Sequence, residues 1–360
     1  MTMATRSPTF AADIGPSAGG RSRLFACLVT LATGMALAQP INAMTIDVTY
    51  GSDVTADMQT AFNEVVSAYD AAFANNITLQ IGLQGQNGGG FAGESATATG
   101  EISYPLWYSA MTAYAASGLS NPTFITGYDA LPATSALGTD GGVTVRAANL
   151  TALGFNVNLG GTPNITSGTG LDGIITINTS LSFAIPSGGT LPSGSYDLVA
   201  VLAHELNEVL GIGSGLTDGT YPTTPEAYDY FRYSAAGTRS WATGTGVTAY
   251  FSIDGGVTNL ANFNQNGAGD YNDWANGSCP ASRVLPQNAF DCPNQVAYLM
   301  QTSTTPDPEM TALDVLGYDL ADPGALLALD ASQQTVPEPG TVALLLPALF
   351  GLLRLRPRKV

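Results

Sequence analysis

The chain has 360 residues, 45% of them hydrophobic and only 11% charged, with 42 glycines and a formal net charge of −17. Such a composition excludes a disordered polyelectrolyte, and the length allows one large domain or two ordinary ones with a sizeable core. Between the two ends the only lysine or arginine side chains are Arg146, Arg232, Arg239 and Arg283. So acidic an interior repels nucleic acid and anionic membranes and suits an extracellular protein, a cation binder, or both.

Residues 1–43 read as a signal peptide. Arg21 and Arg23 precede an apolar stretch over 24–38, and small-residue cleavage sites follow after Ala38 or Ala43. The stretch is too short to favour a membrane anchor. Alternation over 45–50 predicts a strand, and Met58, Phe62, Val65, Val66 and Tyr69 carry helical spacing over 55–74. Residues 77–83 read as a second strand and the Gly/Ala/Thr-rich stretch 84–100 as a loop. A helix over 106–116 is followed by a long Gly/Asn/Thr-rich region with short strands, then by a β-branched strand over 174–183. Ser195 is expected to cap a helix over 196–210, with Asp197 favourable in its first turn and Gly211 ending it.

That helix carries His204-Glu205-Leu206-Asn207-Glu208, and His204 is the chain's only histidine. Residues i and i+4 share a helix face, so His204 and Glu208 can address one metal ion, and Glu205 beside them can act as general base toward a water. With no second histidine, any metal must be held through one imidazole and oxygen ligands; zinc is the expected ion, and harder metals become competitive. The third ligand is assigned by proximity in sequence: Asp229 first, with Glu226 and Asp218 as runners-up, while the Tyr233 phenol is a candidate for stabilising an oxyanion. Arg232 is expected to pair with a carboxylate. The acid-rich stretch 254–273 reads as solvated loop, where a calcium site would lack EF-hand spacing. Loss of Cys27 with the signal leaves Cys279 and Cys292, a pair expected to form a disulfide in an exported protein.

The order strand, Gly/Ser/Pro loop, helix with His-Glu-x-x-ligand, then glycine resembles the zincin metalloproteases. His204, Glu205 and Gly211 match the longer metzincin signature, while Glu208 and Ser214 stand where that branch has further ligands. Ala297-Tyr298-Leu299-Met300 resembles the metzincin methionine turn, and residues 311–318 the helix after it, although Met300 and Tyr318 are also ordinary core residue types. The motif together with residues 229–234, 250–256 and 269–274 is similar to a group of exported bacterial metalloprotease-like proteins, over roughly residues 170–320. These resemblances imply an α+β fold: a zincin-like domain over 44–330 with a mixed, partly antiparallel sheet and an active-site helix. A peptide or protein substrate would lie along an exposed sheet edge, the one ending near Phe183.

The end of the chain, 336–360, joins Pro337-Glu338-Pro339 to an apolar run and a basic cluster, and resembles the PEP-CTERM sorting signal of Gram-negative bacteria that make extracellular polysaccharide. It implies a precursor anchored in the inner membrane, an exosortase-type enzyme acting at the Pro-Glu-Pro motif, and delivery to the cell surface or matrix. The expected function is an exported, metal-dependent endopeptidase. The alternative is a non-catalytic surface or biofilm-matrix protein whose Gly/Thr/Asn-rich loops bind polysaccharide.

Overall fold

Ile46 and Val48 alternate with Thr45, Asp47 and Thr49, which makes β1 (Thr45–Tyr50) a strand with one covered face. Thr55 caps α1 (Ala56–Ala72) by accepting the Met58 N–H, and the stripe of Met58, Phe62, Val65 and Tyr69 is buried. β2 (Thr78–Gln86) pairs in parallel with β1. The loop expected over 84–100 is largely strand: β2 runs to Gln86, and β3 (Gly93–Thr97) and β4 (Thr99–Ser103) follow. Next come α2 (Tyr104–Ala116), α3 (Pro122–Asp129), β5 (Gly142–Arg146) and α4 (Ala147–Ala152), so two helices stand where only short strands were expected. The Asn121 side chain sets the start of α3 by accepting the Thr123 and Phe124 N–H groups.

This computed structural model describes residues 44–118, 120–135, 141–157, 170–216, 224–277, 279, 284–300 and 307–335, all within the unit Ile41–Val360. The signal segment 1–43 and the sorting tail 336–360 lie outside the described residues. No helix among the described residues is long and apolar enough to cross a membrane.

β6 (Gly173–Asn178) stops short of the expected Phe183, because the Asn178 side chain turns the chain by accepting the Ser180 N–H and hydroxyl. Phe183 falls in β7 (Phe183–Ala184), which pairs with β8 (Tyr196–Asp197). The main sheet has the order β1-β2-β6-β3; the first three strands are parallel, and β3 is an antiparallel edge. Its covered face presents Ile46, Leu79, Ile81, Leu83, Ile175 and Ile177 to one core with α1 and α5 (Leu198–Leu210), while Asp47, Thr49, Gln84 and Gln86 are exposed.

Helix α5 starts later than expected and takes Asp197, not Ser195, as its cap: the carboxylate accepts the Ala200 N–H, and Ser195 instead meets the Ser182 hydroxyl. It lies so close to β6 that a Cβ on Gly173 would come within 2.6 Å of Val209. Gly211, at φ 150°, closes it in a conformation few side chains tolerate.

A 3₁₀ turn (Ala227–Phe231) leads into a second, antiparallel sheet of order β10-β9-β11-β12, built from β9 (Arg232–Ala235), β10 (Thr238–Arg239), β11 (Tyr250–Phe251) and β12 (Ala261–Asn262). α6 (Pro308–Val315) and α7 (Pro323–Gln334) complete a mixed α+β fold with seven α-helices among the described residues. The Tyr318 hydroxyl donates to the Leu210 carbonyl at 2.7 Å, tying the segment after α6 to the end of α5.

Candidate metal centre

Twelve of the thirteen residues of α5 are buried, and the exception is His204. It opens into a cleft of about 700 Å³ bordered by the Gly89–Gly90 loop, β3, and the segments around Asp270 and Asp291. The His204 Nδ1 lies 2.9 Å from the Pro286 carbonyl oxygen, so it donates there and Nε2 is the free nitrogen. Nε2 stands 3.8 Å from Glu208 Oε1 and 3.6 Å from Asp273 Oδ2. His204, Glu208 and Asp273 each offer one ligand atom, and these all lie within 4.8 Å of one another. A tetrahedral ion bound at ~2.1 Å separates its ligands by roughly 3.4 Å, so this trio fits a metal with little adjustment.

Each of the three is held by a neighbour. Ser95 on β3 donates to Glu208 Oε2 at 2.7 Å, and the Asn272 amide reaches both Glu208 Oε1 at 3.0 Å and Asp273 Oδ1 at 2.8 Å. Gln287 donates to Asp273 Oδ1 at 2.9 Å. Partners of this kind orient ligands and raise metal affinity. Trp274 anchors the segment that carries Asp273: it is 2% exposed, packs among Phe251, Phe263 and Tyr228, and exchanges backbone hydrogen bonds with Gln287 and Ala289. Arg146 braces the C-terminal end of α5 by pairing with Glu226 at 3.0 Å and donating to the Glu208 carbonyl. Gly213 leaves room for that guanidinium.

Glu205 is 4% exposed and lines the same cleft; its Oε2 has no hydrogen-bond partner. Its other oxygen packs where a side chain on Gly93 would sit, 2.6 Å from a Cβ there.

The electrostatics are those of a site that wants a cation. Burial alone would lower the His204 pKa, yet Asp273, Glu205 and Glu208 together hold it well above its ordinary value. Burial, with the charge of Glu208 and against the pull of His204, lifts Asp273 to about 8. Glu205 is pushed well up by burial and by Glu208. All three shifts are upward, so the metal-free folded state binds more protons than the unfolded chain from about pH 4 to about pH 8. Stability is then greatest below that window and falls as pH rises through it. The metal-free protein is expected to melt roughly 5 °C or more lower at pH 8 than at pH 5. A melting temperature that stays level or rises would contradict these shifts. A divalent cation, which displaces those protons, should raise the melting temperature more at pH 8 than at pH 5.

No protein-family model, curated protein or solved structure matches the chain.

Several expected site residues lie elsewhere. Asp229 does not line the cleft: its carboxylate accepts the Ser214 hydroxyl at 2.6 Å and the Gly215 and Glu226 N–H groups, capping the 3₁₀ turn. It sits there because a short acidic side chain three residues after Glu226 satisfies that turn's own backbone. Glu226 serves Arg146, and Asp218 lies outside the described residues. Tyr233 is buried on β9 under the Arg239 guanidinium, away from the cleft lining. Arg232 makes no ion pair with a carboxylate among the described residues; it stacks 4.2 Å over Phe263 and donates to the Tyr271 carbonyl. Met300 is buried and gives its N–H to Asp330, also outside the cleft lining.

Cys279 and Cys292 form a disulfide that closes the loop carrying Pro286 and Gln287. Asp254 uses its carboxylate on Ser252 and Thr258, which stabilises a turn. The stretch 254–273 is not wholly solvated, since Asn272 and Asp273 are 5% and 2% exposed. Asp273 is the residue that sequence reasoning missed; the buried-type Trp274 directly after it was the available signal.

Proposed function

We propose that the chain is an exported zincin-like metallopeptidase, with zinc held by His204, Glu208 and Asp273 and with Glu205 as general base. One observation carries the reading: three ligand-type atoms converge, each with an outer partner, in a cleft that also holds the unpartnered Glu205 carboxylate. The placement of a His-Glu-x-x-Glu helix against one face of a mixed sheet supports the zincin-like part. When bound, a divalent ion at this point supplies a Lewis acid that makes water a usable nucleophile near neutral pH.

The residues divide the remaining work. Glu205, which burial and the charge of Glu208 push well above the ordinary carboxyl range in the metal-free protein, would take the proton as water attacks a peptide carbonyl and return it to the leaving amine. Asn272 keeps Glu208 and Asp273 from swinging apart. The substrate edge would be β3 rather than the strand ending near Phe183, because β6 is hydrogen-bonded on both sides whereas β3 has one unpaired edge among the described residues. An extended peptide would add there as a further strand. The signal and the tail, in which Pro337-Glu338-Pro339 precedes an apolar run and a basic cluster, would carry this domain to the cell surface or matrix.

Elemental analysis and casein digestion test the proposal. About one zinc per chain is expected at neutral pH, with proteolysis abolished by a chelator and restored by zinc. Absence of stoichiometric metal after zinc loading, or proteolysis indifferent to the chelator, would overturn it and favour a non-catalytic matrix protein.

A further inference from the structure

Asn272, Asp273, Pro286 and Gln287 all come from one stretch of chain. Between β12 and α6 its described residues form isolated bridges but no helix or longer strand. Cross-links hold it instead. The Trp274 N–H donates to the Gln287 carbonyl and the Ala289 N–H to the Trp274 carbonyl, while the Asn276 side chain clasps Phe290 through both its N–H and its carbonyl. The covalent cross-link is Cys279–Cys292, with a sequence separation of 13. Two of the three candidate ligands lean on the loop it closes: the Pro286 carbonyl fixes the His204 ring, and the fully buried Gln287 donates to Asp273. The same loop supplies a wall of the cleft from Asn288 to Asp291. Glu208 takes its partners from Ser95 and Asn272, outside the loop. No strand of the main sheet lies within it, nor does α1 or α5. Cys279 is exposed, so one sulfur of the bond is open to a reductant.

Resting on the metal-centre reading above, we infer that the Cys279–Cys292 disulfide is a redox control on metal binding: the oxidised chain holds the divalent ion firmly, and the reduced chain holds it weakly. A thiolate of an external dithiol attacks the exposed Cys279 sulfur, the S–S bond breaks, and Cys292 leaves as a thiolate that takes up a proton. The second thiol of the reductant then resolves the mixed disulfide. Two electrons and two protons pass to the protein, and the reductant ends as a disulfide. The opened loop gains conformational freedom, so Pro286 and Gln287 lose their fixed places beside His204 and Asp273. Outer partners of this kind are worth about 10- to 100-fold in metal affinity. Thiols persist in the cytoplasm and are joined in oxidising compartments, so an exported chain would keep a weakened metal centre until it leaves the cytoplasm.

The test compares the oxidised protein with a Cys279→Ser/Cys292→Ser variant, which opens the loop without leaving thiols to bind zinc themselves. Zinc affinity at neutral pH, read by competition with a chromogenic chelator, should fall about ten-fold or more, while far-UV circular dichroism stays unchanged. Gln287→Ala should weaken zinc binding by about ten-fold in the oxidised protein and by clearly less in the serine variant, because both changes act through one contact. A bond that serves stability alone would leave the two effects additive. Equal zinc affinity with and without the bond, or a Gln287→Ala effect of the same size in both, would overturn the inference. Should the serine variant not fold, the folded, zinc-loaded protein is reduced with a phosphine in the presence of the chelator. Faster zinc release on reduction sustains the inference, and an unchanged rate ends it. Absence of zinc from the oxidised protein would overturn the metal-centre reading as well, whereas equal binding by the two forms removes the redox control alone.

Discussion

Glu205→Gln is expected to lower kcat/KM on peptide substrates by at least about 100-fold while leaving the zinc content unchanged, because a positioned general base contributes about 10²- to 10⁴-fold. Glutamine fills the same volume beside Gly93 and offers no basic oxygen, so folding and metal binding are spared while proton transfer is lost. Glu205 makes no hydrogen bond to Glu208, Asp273 or His204, which is why its effect should be separable from metal binding. Parallel measurement of zinc per chain and of rate decides the matter. If metal and rate fall together, Glu205 is a ligand or a structural residue; if neither falls, it has no place in the chemistry.

Asp273→Ala should abolish stoichiometric zinc binding, whereas Asp229→Ala should retain it. Loss of an outer partner alone weakens metal affinity by about 10- to 100-fold, so loss of a ligand from a set of three should exceed that. Asp229 instead satisfies two backbone N–H groups and the Ser214 hydroxyl in a buried turn, so its removal should cost about 2 kcal/mol of stability. Zinc titration and urea denaturation of both variants distinguish these outcomes. A metal site that survives Asp273→Ala and disappears in Asp229→Ala would reverse the assignment.

What the sequence made legible was local. His204 and Glu208 are one helical turn apart, and helix periodicity alone places them on one face. Cys279 and Cys292 needed only counting. Asp273 is brought to them by an aromatic cluster and by Asn272, which meets Glu208 across 64 residues of chain, and no local pattern encodes such a meeting. β3 escaped notice for a related reason. Its Gly-Glu-Ser-Ala-Thr sequence lacks apolar alternation because Ser95 and Gly93 face the polar side chains of Glu208 and Glu205 rather than a greasy core. Asp197 and Ser195 are both good helix caps, and packing against the Ala297 N–H decides for Asp197. Asp229 was close in sequence, but its own turn claimed it.

The strand order has a kinetic side. β2 and β3 are neighbours in sequence but not in the sheet, because β6 lies between them, and its partners on β2 come 92 residues earlier. During synthesis at about 5–20 residues per second, both strands wait roughly 5–20 s with open edges before their shared partner exists. Closing so long a loop is also entropically slow. Open strand edges in such an interval are where pairing with another chain is expected to compete with the native sheet. Ser95 cannot grip Glu208 until the interval ends, so the Glu208 carboxylate takes its final place late in folding.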